Sequence, residues 1–258
     1  MPPFLRAEAE LFFGALRFFT RLPAPAWAGH SADKLNRASR YFPAVGLIVG
    51  AIGALVWYIA HLFWPHNVAV LLALAATVWT TGAFHEDGLT DMADGFGGGQ
   101  EKTRILEIMK DSRIGAFGMI AFVFALLGRF LALTALPASL IAPALVAGHA
   151  VSRFFAVALL RFMDYVREDA LAKARPVATR IGGLDLCVAG LTALAPGFFL
   201  PPARFLCALL LAASAVFWLA RLYRRRLGGY TGDCLGAAQQ AAELAFYLGV
   251  LAHLPRGA

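Results

Sequence analysis

The chain has 258 residues, of which 60% are hydrophobic and 15% charged, with a mean hydropathy of +0.67 and a formal net charge of +7. Soluble domains carry about a quarter of their residues charged, so this balance excludes an ordinary soluble enzyme, and the apolar residues come in blocks long enough for a bilayer, which needs about 20 residues per helix. The positive charge lies between those blocks, the pattern of topology-setting charge. That excludes nucleic acid as a partner and makes the lipid bilayer the first one.

Residues 8–21 have apolar positions at helical spacing with charges between them, which predicts an interfacial helix. Glu8, Glu10, Arg17 and Arg21 in this region, with no cleavage-type ending, argue against a signal peptide. Apolar run length then predicts about seven spanning helices, at residues 41–63, 68–84, 114–136, 140–160, 184–200, 205–222 and 237–254. Gly46, Gly50 and Gly53 give the first span a small-residue face for close helix packing. With the N-terminus inside, nineteen of the 23 Lys and Arg fall in inner segments, among them Arg6, Lys34, Arg167, Lys173, Arg175 and Arg224 to Arg226. Only Arg204 and Arg256 fall outside, a strong positive-inside asymmetry. The outer connections at 64–67, 137–139 and 201–204 are turns, so chemistry belongs on the cytoplasmic side or within the bundle. The expected architecture is all-α, a single polytopic membrane-embedded domain over residues 1–258.

The segment FHEDGLTDMADGFGGG, residues 84–99, carries the chemistry. Asp87, Asp91 and Asp94 stand at i, i+4 and i+7, so a helix places all three carboxylates on one face. Like charges that close oppose one another's ionisation, and the arrangement makes sense with a cation among them. Oxygen donors without cysteine point to a hard cation, most simply Mg²⁺, which commonly completes its shell with substrate phosphates. His85 and Glu86 flank the cluster and could add a ligand or a base. In MKDSRIGAFG, residues 109–118, Lys110, Ser112 and Arg113 surround Asp111; the cations suit phosphate, and Asp111 is a candidate further metal ligand. Arg129 and Arg153 fall inside spans, where a charge needs a partner or a polar substrate, and Glu243 in the last span is the available counter-charge. Thr231 or Asp233 is placed to cap the last helix. Glu168 and Asp169 add two acids to a cytoplasmic loop. The histidines His30, His61, His66, His149 and His253 show no ligand spacing and read as structural or interfacial; Cys187, Cys207 and Cys234 read as small apolar residues.

Three motifs in order, HEDGLTDMADGFGGG, MKDSRIGAFG and LGGYTGDCLGA, resemble the adenosylcobinamide-GDP ribazoletransferase, or cobalamin synthase, family. LRFFTRLPAP, YFPAVGLIVG and YVREDA extend the likeness over most of the chain. The resemblance implies the last joining step of cobalamin nucleotide-loop assembly: adenosylcobinamide-GDP and α-ribazole, or its 5′-phosphate, give adenosylcobalamin, or its 5′-phosphate, and GMP. It implies Mg²⁺ as cofactor, the bacterial cytoplasmic (inner) membrane as location, and corrinoid and ribazole substrates as partners, and leaves homo-oligomerisation open. Under it Asp87, Asp91, Asp94 and Asp111 are metal ligands, and Asp94 and His85 candidate general bases. Glu86, Lys110, Ser112, Arg113, Arg129, Arg153, Asp233 and Glu243 are then substrate-side residues. Two other classes share parts of this equipment. A phosphotransferase acting on a nucleotide-activated alcohol would share the acidic cluster, although the Ala-Arg that follows the first Asp-Gly in CDP-alcohol phosphotransferases is replaced by Leu89-Thr90. A transporter would use the intramembrane charges, but the outer face has almost no polar equipment.

Overall fold

The computed structural model describes residues 2–28, 32–166 and 178–252. His30, Arg167, Glu168, Asp169, Lys173, Arg175, His253 and Arg256 lie outside the described residues. Helix α1 (Pro3–Phe19) is the expected amphipathic N-terminal helix: it buries Leu11, Ala15, Leu16 and Phe19 and leaves Phe4 and Leu5 exposed. Helix α2 (Ala32–Ala38) continues through a 3₁₀ turn, Ser39–Tyr41, into α3 (Phe42–His61), where Pro43 occupies the first turn, in which a missing N–H costs no intrahelical bond. There follow α4 (His66–Thr81), α5 (Phe84–Gly98), α6 (Lys102–Ile108), α7 (Ala116–Thr134) and α8 (Ala138–Phe162). The chain ends with α9 (Gly183–Leu194), α10 (Pro202–Arg226) and α11 (Gly232–Leu251).

By length and composition, four helices among the described residues can cross a membrane: Lys34–His61, Ala116–Thr134, Ala138–Phe162 and Pro202–Arg226. A fifth span is added if α4 and α5 are one span bent by 86°. The protein is therefore a polytopic helical membrane protein, with fewer straight apolar spans than the seven expected. The run 68–84 breaks because Gly82 (φ 64°) and Ala83 (φ 59°) are both left-handed. The run 184–200 holds only a 12-residue helix, continued by a 3₁₀ turn over Ala195–Phe199 that contains Pro196. The last helix, α11, is 20 residues long but polar along one side, because it faces protein rather than lipid. It packs against α5, α7, α8 and α10. Around it, α7 and α10 expose Phe124, Leu131, Leu206 and Phe217, the apolar surface lipid would cover.

The small-residue face of α3 does what its spacing predicts. A side chain at Gly50 would stand 2.6 Å from the backbone of Leu145 and Val146 in α8, and one at Gly46 would collide with the His149 carbonyl. At one end of the bundle, long-range hydrogen bonds gather the connecting segments. Thr179 N donates to Asn36 Oδ1 (2.7 Å), and Arg224 Nη2 to the Phe162 carbonyl (3.1 Å). Arg226 Nη2 donates to the Gly99 carbonyl (2.5 Å). Tyr165 and Tyr230 form a parallel bridge, with Val166 N donating to the Tyr230 carbonyl (3.0 Å). All three motifs therefore open onto the same end.

Candidate active site

Helix α5 starts at an elbow that the chain N-terminal to α3 holds in place. Arg21 donates its backbone N–H to the Thr80 carbonyl (2.8 Å), and its guanidinium lies 5.0 Å from the ring centre of Trp79. Ala83 closes the turn by donating to the Val78 carbonyl (3.0 Å). A left-handed alanine costs about 1–2 kcal/mol, so this conformation is imposed by its surroundings. Its effect is to turn α5 by 86° from α4 and lay it against α7 and α11.

Once turned, α5 is gripped through its glycines. A side chain at Gly88 would stand 3.1 Å from the Asp233 carbonyl oxygen and 3.3 Å from Gly236 Cα, so motif one and motif three meet backbone to backbone. Gly95 and Gly99 give the same close approach to Ile105 and Met109 of the α6 segment.

The three aspartates grade from water into protein: Asp87 is exposed, Asp91 half-buried and Asp94 buried. Asp94 Oδ2 accepts from Gly115 N (2.7 Å) and Oδ1 from Gly118 N (2.8 Å), so its carboxylate caps the start of α7 from another helix. Such a carboxylate satisfies N–H groups that the helix itself leaves without partners. Asp111 lies in the exposed α6–α7 loop with Lys110, Ser112 and Arg113. Its carboxylate is forked by Arg113, at 2.6 Å from Nη2 and 3.0 Å from Nε, and those hydrogen bonds hold its pKa down to about 2. Thr231 is the α11 cap, accepting from Cys234 N at 3.3 Å, which leaves Asp233 in the first turn, half-buried, where the helix dipole favours an acid. Among the described residues no three His, Cys, Asp or Glu side chains converge closely enough to hold a metal ion. The α5 face thus offers carboxylate oxygens, but a complete protein cage is not formed.

His85 and Glu86 point away from that face, as positions one and two residues before Asp87 must on a 3.6-residue helix. His85 is buried and stacked on Phe19, ring centres 5.3 Å apart. Glu86 enters a buried polar cluster with Arg129, His149, Arg153, Gln239, Gln240 and Glu243. Arg129 Nη1 stands 3.4 Å from Glu86 Oε1 and 3.3 Å from Glu243 Oε1, so the expected pairing of Arg129 with Glu243 is present and Glu86 joins it. Glu243 also accepts from Gln239 Nε2 (2.7 Å) and Tyr247 OH (3.3 Å), and its Oε2 is 3.2 Å from His149 Nδ1. Arg153 reaches the cluster through His149, donating to its carbonyl at 2.9 Å. Gln240 Nε2 donates to Glu86 Oε1 (3.2 Å). Nothing in the sequence reading singled out Gln239 or Tyr247. The available signal was their spacing: 239, 243 and 247 repeat every four residues along one face of α11.

The sequence model of the family described as cobalamin-5-phosphate synthase matches residues 11–251. A protein from Leptothrix cholodnii named adenosylcobinamide-GDP ribazoletransferase is 48% identical, over 95% of this chain and 96% of its own. Proteins of the same name from Ralstonia nicotianae and Vibrio cholerae are 49% and 44% identical, covering 93% and 98% of this chain and 94% and 98% of their own. No solved structure matches.

Proposed function

The chain belongs to the cobalamin-5-phosphate synthase family, and on that premise we propose how it works. It joins adenosylcobinamide-GDP to α-ribazole, or to its 5′-phosphate, and releases GMP. The ribose hydroxyl oxygen attacks the cobinamide-side phosphorus of the diphosphate; the new P–O bond forms as the bridging P–O bond breaks, its electron pair leaves with GMP, and the hydroxyl proton is released to water. Such transfers depend mainly on positioning and on neutralising phosphate charge.

The observation that supports this reading is the meeting of the α5 acid face, the first turn of α11 and the basic α6–α7 loop at one end of the bundle. Asp87 and Asp91, one helical turn apart and graded from exposed to half-buried, suit a divalent cation whose remaining ligands are diphosphate oxygens and water. Mg²⁺ bound there would supply charge neutralisation to the leaving phosphate. Lys110 and Arg113, on the exposed loop, are placed to meet phosphate oxygens, with Ser112 between them. Asp94 serves this site from behind, fixing where the loop ends and α7 begins. Arg129, Arg153 and Glu243 belong to the buried cluster and hold the helices rather than the substrate. The concentration of Lys and Arg at this end supports a cytoplasmic orientation in the bacterial inner membrane.

The test is the reaction itself: purified protein with adenosylcobinamide-GDP, α-ribazole and Mg²⁺ should yield a cobalamin product and GMP, and chelation should stop it. Asp91→Asn should lose about 10²-fold or more, the scale for removing a transition-state charge contact, while still inserting in the membrane. An active, folded sample that makes no cobalamin overturns the reading, and full activity in Asp91→Asn removes that residue from the site.

A further inference from the structure

The buried cluster is organised around a charge count. Arg129 and Arg153 are 1% and 2% exposed, and Glu243 and Glu86 are 0% and 5% exposed, so two permanent cations face two carboxyl groups away from water, with the imidazoles of His85 and His149 lining the same cavity. An uncompensated charge at such a place is very costly. Glu86 contributes its carboxylate from α5, and the amide of Gln240 lies against it from α11 at 3.2 Å. Both side chains line one small polar cavity with Arg153 and Glu243. Glu86 Oε2 and Gln240 Oε1 are buried acceptors without a hydrogen-bond partner there, and Arg153 Nε is a buried donor without one.

The same two helices touch at Gly88 and Gly236, where no side chain interlocks them. Backbone contact of that kind sets how near the helices come, so the roll of α5 about its own axis is set by its side-chain contacts, Asp94 with the start of α7 at one end and Glu86 with Gln240 at the other. The Glu86–Gln240 contact is one residue from Asp87, and a roll of α5 there would re-aim the whole acid face.

We propose that Glu86 and Gln240 act as a positioning pair: one carboxylate shared between the two positions balances Arg129 and Arg153 and sets the roll of α5 that aims Asp87 and Asp91. The rule is about the pair and not about which helix supplies the acid. Exchanging the two keeps an amide-to-carboxylate hydrogen bond across the interface and keeps the charge inside the same cavity. Changing only one member breaks the count, leaving a single acid in Glu86→Gln or three acids in Gln240→Glu.

The experiment compares wild type, Glu86→Gln, Gln240→Glu and the exchanged double variant in detergent, measuring the unfolding midpoint, turnover and the Mg²⁺ concentration for half-maximal turnover. Each single variant should lose midpoint and about 10-fold or more of turnover, with the half-maximal Mg²⁺ raised several-fold, the scale of changes in residues that orient metal ligands. The exchanged variant should return both readouts to near wild type. A single variant indistinguishable from wild type overturns the proposal, as does an exchanged variant that folds no better than the singles. A midpoint restored without turnover or Mg²⁺ response shows a purely structural pair and overturns the positioning role. The turnover arm rests on the transfer reaction proposed above: a wild type that makes no cobalamin refutes that reaction, while the midpoints still decide the charge rule.

Discussion

Replacing Asp94 by alanine removes both oxygens that cap α7. Gly115 N and Gly118 N then lose charge-assisted bonds of 2.7 and 2.8 Å. Each such bond contributes about 1.5–3 kcal/mol, and the Gly115 end is partly open to water, so a total of about 2–4 kcal/mol is expected. For a chain of this size that lowers the melting temperature by roughly 5–15 °C. Gly115 supplies the control. The three heavy atoms nearest an added side chain there all belong to Asp94, with Cγ at 2.8 Å. Gly115 has φ −91°, which alanine accepts. Gly115→Ala alone should therefore cost about 1–3 kcal/mol through overpacking, and under about 0.5 kcal/mol when Asp94 is already alanine. Thermal unfolding in detergent, followed by tryptophan fluorescence, measures the four corners of this cycle. Additive costs, or an Asp94→Ala midpoint equal to wild type, would refute the capping argument.

Ala83→Gly should raise stability by about 1 kcal/mol, because it relieves a left-handed alanine; a lower unfolding midpoint in the glycine variant would show that the elbow is not strained. Gly88→Ala must push α5 from α11, since its Cβ meets backbone at 3.1 Å, and about 1–3 kcal/mol of stability and most of the turnover should go together; unchanged activity in a stable variant contradicts the tight approach. The Arg113 fork depresses the Asp111 pKa from 3.8 to about 2. A depressed carboxyl contributes stability above its unfolded pKa and loses it as pH falls, here between about pH 4 and 2. Carboxyl-carbon NMR should find Asp111 titrating near the lower value, and returning toward 3.8 in Arg113→Ala.

What the sequence makes legible is whatever depends on local spacing or on bulk composition. The membrane helices follow from apolar run length, the amphipathic α1, the shared face of Asp87, Asp91 and Asp94 and the glycine face of α3 from periods of three to four residues, and residue type narrowed the last helix's cap to Thr231 or Asp233. The pairing of Arg129 with Glu243 was legible for a different reason, since few ionisable residues lie at membrane depth. The break after α4 was hidden, because residues 68–84 carry no charge and no proline and the bend is held by Arg21, some 60 positions earlier. The capping role of Asp94 and the contact of Glu86 with Gln240 were hidden too, because their partners lie 21 to 154 residues away. The spacing argument placed three carboxylates on one face but could not show that the deepest of them already holds two amides.

The pairing of Arg129 with Glu243 also has a consequence for how the chain is made. The two residues are 114 positions apart, and Glu243 belongs to the last helix. At about 5–20 residues per second of synthesis, roughly 6–25 s separate the emergence of the guanidinium from that of this acid. From the point, 24 residues on, at which Arg153 has also been made, a nascent bundle lacking α11 holds Arg129 and Arg153 against Glu86 alone, with one positive charge in excess. Translation that stalls before α11 therefore leaves an intermediate marked by unbalanced buried charge, which is costly within a membrane.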